Sequence, residues 1–195
     1  NKAVSLIKSR TKILEYDKLL LATGASPNTP KIDGIQCDGV STCWTLSDAR
    51  YILNNIKKGS NVVLMGAGFI GCIILEALVK SGANLTVIEM ESRMVPRMMN
   101  EDAGSLIKDW CESKGVSICL ETRVESIEKR AKGRLFLSLS NKIKIEADLV
   151  VSATGVVPNT EFLSKDQIKT RRGILVNRFM ETSASDVFAA GDVAE

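Results

Sequence analysis

The chain has 195 residues, 45% of them hydrophobic and 25% charged, enough for one large or two small globular domains. A net charge of +3 without any basic cluster offers no footprint for a nucleic acid. No apolar run approaches the length of a membrane span and the N-terminus has no signal-peptide pattern, so a soluble, cytoplasmic protein is expected.

Histidine is absent, so no imidazole from this chain can act as acid or base. The five cysteines (Cys37, Cys43, Cys72, Cys111 and Cys119) have neither metal-ligand spacing nor a CxxC. Cys37 and Cys43, close in a loop-like stretch, suit a redox pair. The simpler reading is five reduced thiols, with Cys72 and Cys119 as buried apolar fillers. The chain begins at Asn1 rather than Met and stops at Glu195 after a turn-rich stretch, so both ends read as cut.

In chain order, the aliphatic run after Asp17 reads as a buried strand ending in Ala22-Thr23-Gly24. Asn61 to Met65 is a second strand, and Phe69 to Lys80 a helix closed by Gly82. That helix is apolar nearly all round, which predicts burial between the sheet and another layer. Its one acid, Glu76, reads as an exposed carboxylate. A strand follows at Leu85 to Ile88, then a helix at Glu101 to Lys114, and a strand at Val116 to Leu120. Alternating Leu135, Leu137 and Leu139 predict a solvated antiparallel meander within Val124 to Ile145. Leu149 to Ala153 returns to a buried strand after Asp148. Strands alternating with helices imply an α/β fold with a parallel sheet.

The segments around the first and last of these strands repeat one another. Residues 20–29 (LLATGASPNT) align without gaps to residues 151–160 (VSATGVVPNT), with six of ten positions identical. In each copy glycine frees the backbone for a close approach and proline ends the pairing.

Strand Val62-Val63-Leu64-Met65 runs directly into Gly66-Ala67-Gly68-Phe69-Ile70-Gly71 and then a helix, the context that gives this glycine pattern its specificity. Gly66 suits the tight turn, Gly68 the approach of backbone to a pyrophosphate, and Gly71 close helix–strand packing. The helix start, including Phe69 and Ile70, presents free N–H groups and partial positive charge to phosphate. Glu89 ends the next strand, where an acid accepts hydrogen bonds from the adenosine ribose. Its charge opposes a 2′-phosphate, so NAD(H) is expected over NADP(H), with Arg93 and Arg97 nearby to soften the preference.

Four motifs in order, Tyr16 to Ala25, Gly66 to Gly71, Ala153-Thr154-Gly155 with Pro158-Asn159, and Thr182 through Val187-Phe188-Ala189-Ala190-Gly191-Asp192, resemble the pyridine nucleotide-disulfide oxidoreductase superfamily. The chain is most similar to its ferredoxin, rubredoxin and nitrite reductase-like NADH-dependent flavoproteins. The resemblance implies a Rossmann-like three-layer NAD(P)-binding domain at 46–155. It implies incomplete FAD-domain segments at 1–30 and 156–195, and a linker at 31–45. Thr23 and Gly24 would approach FAD, and Asp192 after Gly191 would bond its ribityl chain. Thr154 and Gly155 would pass close to nicotinamide. Phe69 would cover the flavin, its other reading being core packing. Ile73 stands where relatives often carry a glutamate near the carboxamide.

The expected activity is hydride transfer from NADH to FAD and on to an unidentified acceptor, a redox protein or a small molecule. No side chain of this chain acts as nucleophile or acid in that reading. The FAD pyrophosphate loop would lie upstream of Asn1, so the chain alone is expected neither to retain FAD nor to turn over NADH. Its uncovered apolar edges suit pairing with a second copy. The rival reading is a flavin-free NAD-binding sensor or scaffold module.

Overall fold

Alternate residues of three adjacent strands point to opposite sides of one sheet, and each side has its own core. The computed structural model describes residues 2–7, 10–130, 133–164 and 166–195, without the side chains of residues 2–7 and 10–12. It divides into two units, residues 1–26 with 156–195, and residues 27–155. The chain therefore passes between units twice, at 26–27 and at 155–156.

The first unit opens with an antiparallel hairpin, β1 (Lys2–Ile7) and β2 (Arg10–Glu15). It continues with β3 (Leu19–Leu21) and β4 (Ala25–Pro27). After the second unit it resumes with β13 (Val156–Pro158), which pairs with β4, and β14 (Val187–Ala189), which lies parallel to β3. Leu21, Ile168, Ile174, Val187, Ala189 and Val193 form its core.

The second unit is built on a five-stranded parallel sheet in the order β5-β12-β6-β7-β8. These strands are β5 (Val40–Thr42), β6 (Asn61–Met65), β7 (Asn84–Ile88), β8 (Ser117–Cys119) and β12 (Leu149–Ser152). Both sheet faces are covered, which is why β6 and β12 are near-continuous aliphatic runs. Val62, Leu64, Val87, Leu149 and Val151 face the helical side. There they meet Ile52 of α1 (Leu46–Asn55), Leu75 and Leu78 of α2 (Phe69–Lys80), and Cys111 of α3 (Glu101–Ser113). Val63, Met65, Ile88 and Val150 face the predicted meander, β9 (Val124–Lys129), β10 (Leu135–Leu139) and β11 (Lys144–Ala147). Leu135, Leu137 and Leu139 are buried against that face, as their alternation predicts. Removing one of them to Ala would cost about 2–5 kcal/mol.

The structure corrects several expectations. Residues 31–45, read from the sequence as a linker, supply edge strand β5, which pairs with β12. Helix α1 was not foreseen, although Thr45 and Asp48 form a complete capping box at its start. Helix α2 is not buried all round. Gly71, Leu75 and Leu78 face the core, whereas Phe69 and Ile73 are each 59% exposed on the opposite stripe. Glu76 lies on that outer stripe and pairs with Lys80 at 2.7 Å, one turn on.

The cysteines are also redistributed. Cys37 packs into the meander-side core and Cys43 into the helix-side core, so the sheet stands between them and a redox pair is ruled out. All five thiols are free. Cys111 is the fully buried one, while Cys72 and Cys119 are half-buried. Among the described residues no cluster suits a metal ion, and no helix is long and apolar enough to cross a membrane.

Candidate functional site

The fingerprint loop emerges at the carboxyl end of β6, the sheet edge where ligands of open α/β folds bind. Gly66 turns with φ 98°, a left-handed conformation that glycine adopts freely. A side-chain carbon there would sit 2.5 Å from the Ala153 carbonyl oxygen, and one at Gly71 would collide with the Gly66 carbonyl oxygen. Both glycines are therefore demanded by the chain's own packing. Gly68 differs, since a side-chain carbon there would meet only open space. That space lies in front of the first turn of α2.

The helix start is built to leave its amides available. Helices α1 and α3 have side-chain caps, from Thr45 and Asn100. Helix α2 begins on Gly68, with no side chain bonded to its first-turn N–H groups. Those donors, on Phe69, Ile70 and Gly71, sit at the positive end of the helix dipole with no acid in the first turn. Phe69 presents its ring outward, which excludes the core-packing reading. Ile73 lies one turn further along the same exposed stripe.

Glu89 follows β7 directly and is only 6% exposed. Its Oε2 accepts the Ala67 N–H at 2.7 Å, and its Oε1 accepts the Glu91 N–H at 2.9 Å. Each oxygen keeps lone-pair capacity beyond these bonds. Arg93 directs its Nε and a terminal nitrogen to the Met99 and Pro96 carbonyls. Arg97 is exposed. The sequence reading missed Val95, whose N–H donates to the Ala67 carbonyl at 2.8 Å from a left-handed backbone with φ 49°.

Thr154 and Gly155 leave the end of β12 beside the fingerprint. The Thr154 amide nitrogen lies 3.4 Å from where a Gly66 side-chain carbon would stand, and Gly155 has φ 101° over open space. The Thr154 hydroxyl donates to the Asn28 carbonyl at 3.3 Å. Gly66, Gly68, Phe69, Ile70, Gly71, Glu89, Thr154 and Gly155 thus gather at the carboxyl ends of three adjacent strands, β12, β6 and β7.

Thr23, Gly24, Gly191 and Asp192 gather in the other unit, beyond the carboxyl ends of the parallel pair β3 and β14. The Thr23 hydroxyl donates to the Asn159 carbonyl at 3.0 Å, and the Asn159 side-chain amide returns a bond to the Thr23 carbonyl at 2.9 Å. Thr23 is thereby a structural tie. Gly24 and Gly191 have positive φ, and a side-chain carbon at either would have nothing within 4 Å. Asp192 is exposed, and its carboxylate has no hydrogen-bond or ionic partner among the described residues, leaving it available to a hydroxyl.

Cys43, Cys72 and Cys111 are poor nucleophiles. Burial pushes the Cys72 thiol up to about 11, with Cys111 and Glu89 adding to the rise, and burial raises Cys43 and Cys111 in the same direction.

The chain is similar to known proteins along nearly its whole length. The NADH-dependent phenylglyoxylate dehydrogenase subunit epsilon of Aromatoleum evansii is 38% identical over 175 residues, 90% of this chain and 41% of that protein. The NAD-dependent persulfide reductase from A. fulgidus superposes with TM-score 0.91 at 34% identity, covering 100% of this chain and 36% of that one. The water-forming NADH oxidase from Lactobacillus brevis, solved with NADH bound, gives TM-score 0.88 at 29% identity over 100% of this chain and 46% of its own. An engineered NADPH oxidase derived from that protein, solved with NADPH, gives TM-score 0.87 at 30% identity over 96% of this chain and 41% of its own. The chain spans less than half the length of these relatives. The family model of the pyridine nucleotide-disulphide oxidoreductases matches residues 1–195, and the chain belongs to that family.

Proposed function

We propose that residues 27–155 bind NADH and that residues 1–26 with 156–195 are FAD-domain segments, in a flavoprotein that passes hydride from NADH to FAD and on to an acceptor. The observation that carries this reading is the uncapped start of α2 behind Gly68, with open space before it and the buried acid Glu89 at the next strand end. Pyrophosphate is the anion that such a start accepts. The hydride transfer is chemistry that nicotinamide and flavin supply when bound. The chain binds and orients: α2 holds the phosphates, Glu89 takes the ribose hydroxyls, and the Thr154–Gly155 turn leaves a flat approach for the nicotinamide. In this reading the exposed Phe69 ring covers an aromatic ring of a cofactor. In the other unit, Asp192 takes a ribityl hydroxyl, and Gly24 and Gly191 keep the backbone approachable.

A preference for NADH is part of the reading. The engineered NADPH oxidase contains a glycine-to-alanine and an aspartate-to-alanine change 18 residues apart, the separation of Gly71 and Glu89 here. Replacing an acid is what accepting a 2′-phosphate requires. The test is calorimetric titration of NADH and NADPH into the chain. Absence of NADH binding at millimolar concentration would sink the proposal.

A further inference from the structure

We propose that Glu89 is also the positioning residue of the phosphate-binding loop, setting its shape through Ala67 whether or not a ribose is present. This inference rests on the NADH reading above and adds a role that ribose recognition does not require.

Ala67 is completely buried between Gly66 and Gly68. Its peptide groups are held from both sides by one segment of chain. Glu89 Oε2 takes its N–H at 2.7 Å, and the Val95 N–H reaches its carbonyl at 2.8 Å, where the Cys72 thiol also donates at 3.5 Å. The segment between these two anchors is itself fixed. Glu89 donates its backbone N–H to Cys119 and accepts from Thr122, both at 2.9 Å, and Met94 is wholly buried. Val95 is the telling residue. A buried, β-branched side chain with φ 49° is a costly conformation, which persists only where its surroundings over-determine it. Its backbone is held where its N–H meets Ala67.

The Glu89 carboxylate is therefore a built-in acceptor for two backbone donors before any ligand arrives. Two acceptor oxygens are needed for this. A carboxylate has them, whereas an amide has one oxygen and a competing donor. Gly68 and the free amides of Phe69, Ile70 and Gly71 follow Ala67 immediately, so displacement of Ala67 moves the phosphate donors themselves.

The experiment compares ADP with 2′,3′-dideoxy-ADP, which keeps the pyrophosphate but lacks both ribose hydroxyls, on the unaltered chain and on Glu89→Gln and Glu89→Asp. Aspartate keeps charge and both oxygens but is one methylene short of Ala67. If Glu89 positions the loop, both variants bind the dideoxy ligand roughly tenfold or more weakly, the loss expected for a charge-assisted hydrogen bond. Exchange of the Ala67 amide hydrogen, read without ligand, accelerates at least about tenfold in Glu89→Gln while that of Leu64 stays unchanged. Should one variant fail to fold, the other carries the same comparison. Variants that weaken ADP but leave dideoxy-ADP and Ala67 exchange unchanged would confine Glu89 to ribose reading and overturn the proposal. Failure of the unaltered chain to bind either nucleotide would instead remove the NADH reading, and the proposal with it.

Discussion

The backbone N–H of Asn159 donates to the Gly24 carbonyl at 3.0 Å, and the backbone N–H of Asn28 donates to the Gly155 carbonyl at 2.9 Å. Asn28 and Asn159 are equivalent positions of the sequence repeat, as are Gly24 and Gly155, so each copy bonds the other reciprocally. The threonines follow the same rule, Thr23 donating to the Asn159 carbonyl and Thr154 to that of Asn28. The repeat is thus explained by geometry: two strand ends with left-handed glycines, tied by exchanged hydrogen bonds where the chain leaves and re-enters its first unit.

The equivalence stops at the side chains, which gives a prediction. Asn159 bonds the Thr23 carbonyl and accepts from Ser26 at 2.7 Å, whereas the Asn28 side chain makes no such bond among the described residues. Asn159→Ala should therefore destabilise the chain by about 1–2 kcal/mol, and Asn28→Ala by less than about 0.5 kcal/mol. Chemical denaturation of both variants decides the matter, and equal losses would contradict it.

Gly68→Val should leave the fold intact and remove nucleotide binding. Gly68 has φ −73° and ψ −170°, which valine adopts readily, and the added side chain enters open space. The thermal midpoint should stay within a few degrees of the unaltered protein while NADH affinity falls by at least about a hundredfold, since the side chain occupies the approach of the pyrophosphate. Gly66→Ala behaves oppositely, unfolding at lower temperature because its new carbon meets the Ala153 carbonyl at 2.5 Å.

Glu89→Ala should narrow the preference for NADH over NADPH while weakening both. Loss of the charge removes repulsion of a 2′-phosphate, and loss of both acceptor oxygens releases Ala67 and Glu91. Calorimetry on the two coenzymes reads the ratio and the absolute affinities together. Full retention of NADH affinity would contradict both assigned tasks.

Cys72 should resist alkylation. With its thiol near 11, its thiolate fraction at pH 8 is about a hundredfold below that of an ordinary exposed cysteine. Iodoacetamide labelling followed by peptide mass analysis measures this, and rapid modification of Cys72 in the folded chain would refute it.

The first unit should lose stability in acid through Glu195. Backbone N–H groups of Gly173 and Arg172, together with Arg171, hold its carboxyl down at about 2. Because the folded value lies below the unfolded 4.5, the stabilisation is present above that pH and fades as the pH falls toward 2. Denaturation profiles of Glu195→Gln should lack this part of the acid dependence. Identical slopes in variant and parent would show that the clamp contributes nothing.

The parts of this chain governed by local rules are legible in its residues alone. Strand β6, the glycines after it and the acid after β7 are legible because a tight turn, a close approach and a helix start each admit few residue types. Alternation at Leu135, Leu137 and Leu139 revealed the meander because a strand has period two. Tertiary structure decided what depends on neighbours distant in the chain. Apolar composition alone could not tell which stripe of α2 meets the sheet, so the helix reads as buried nearly all round although Phe69 and Ile73 face outward. Cys37 and Cys43 read as near neighbours until the sheet came between them. Glu89 read as a ligand acid, yet its bond to Ala67 spans 22 residues, and the Val95 anchor exists only because the loop after β7 folds back over the fingerprint. No periodicity encodes such a return, because the partner is chosen by the geometry of the packed strand ends rather than by spacing along the chain.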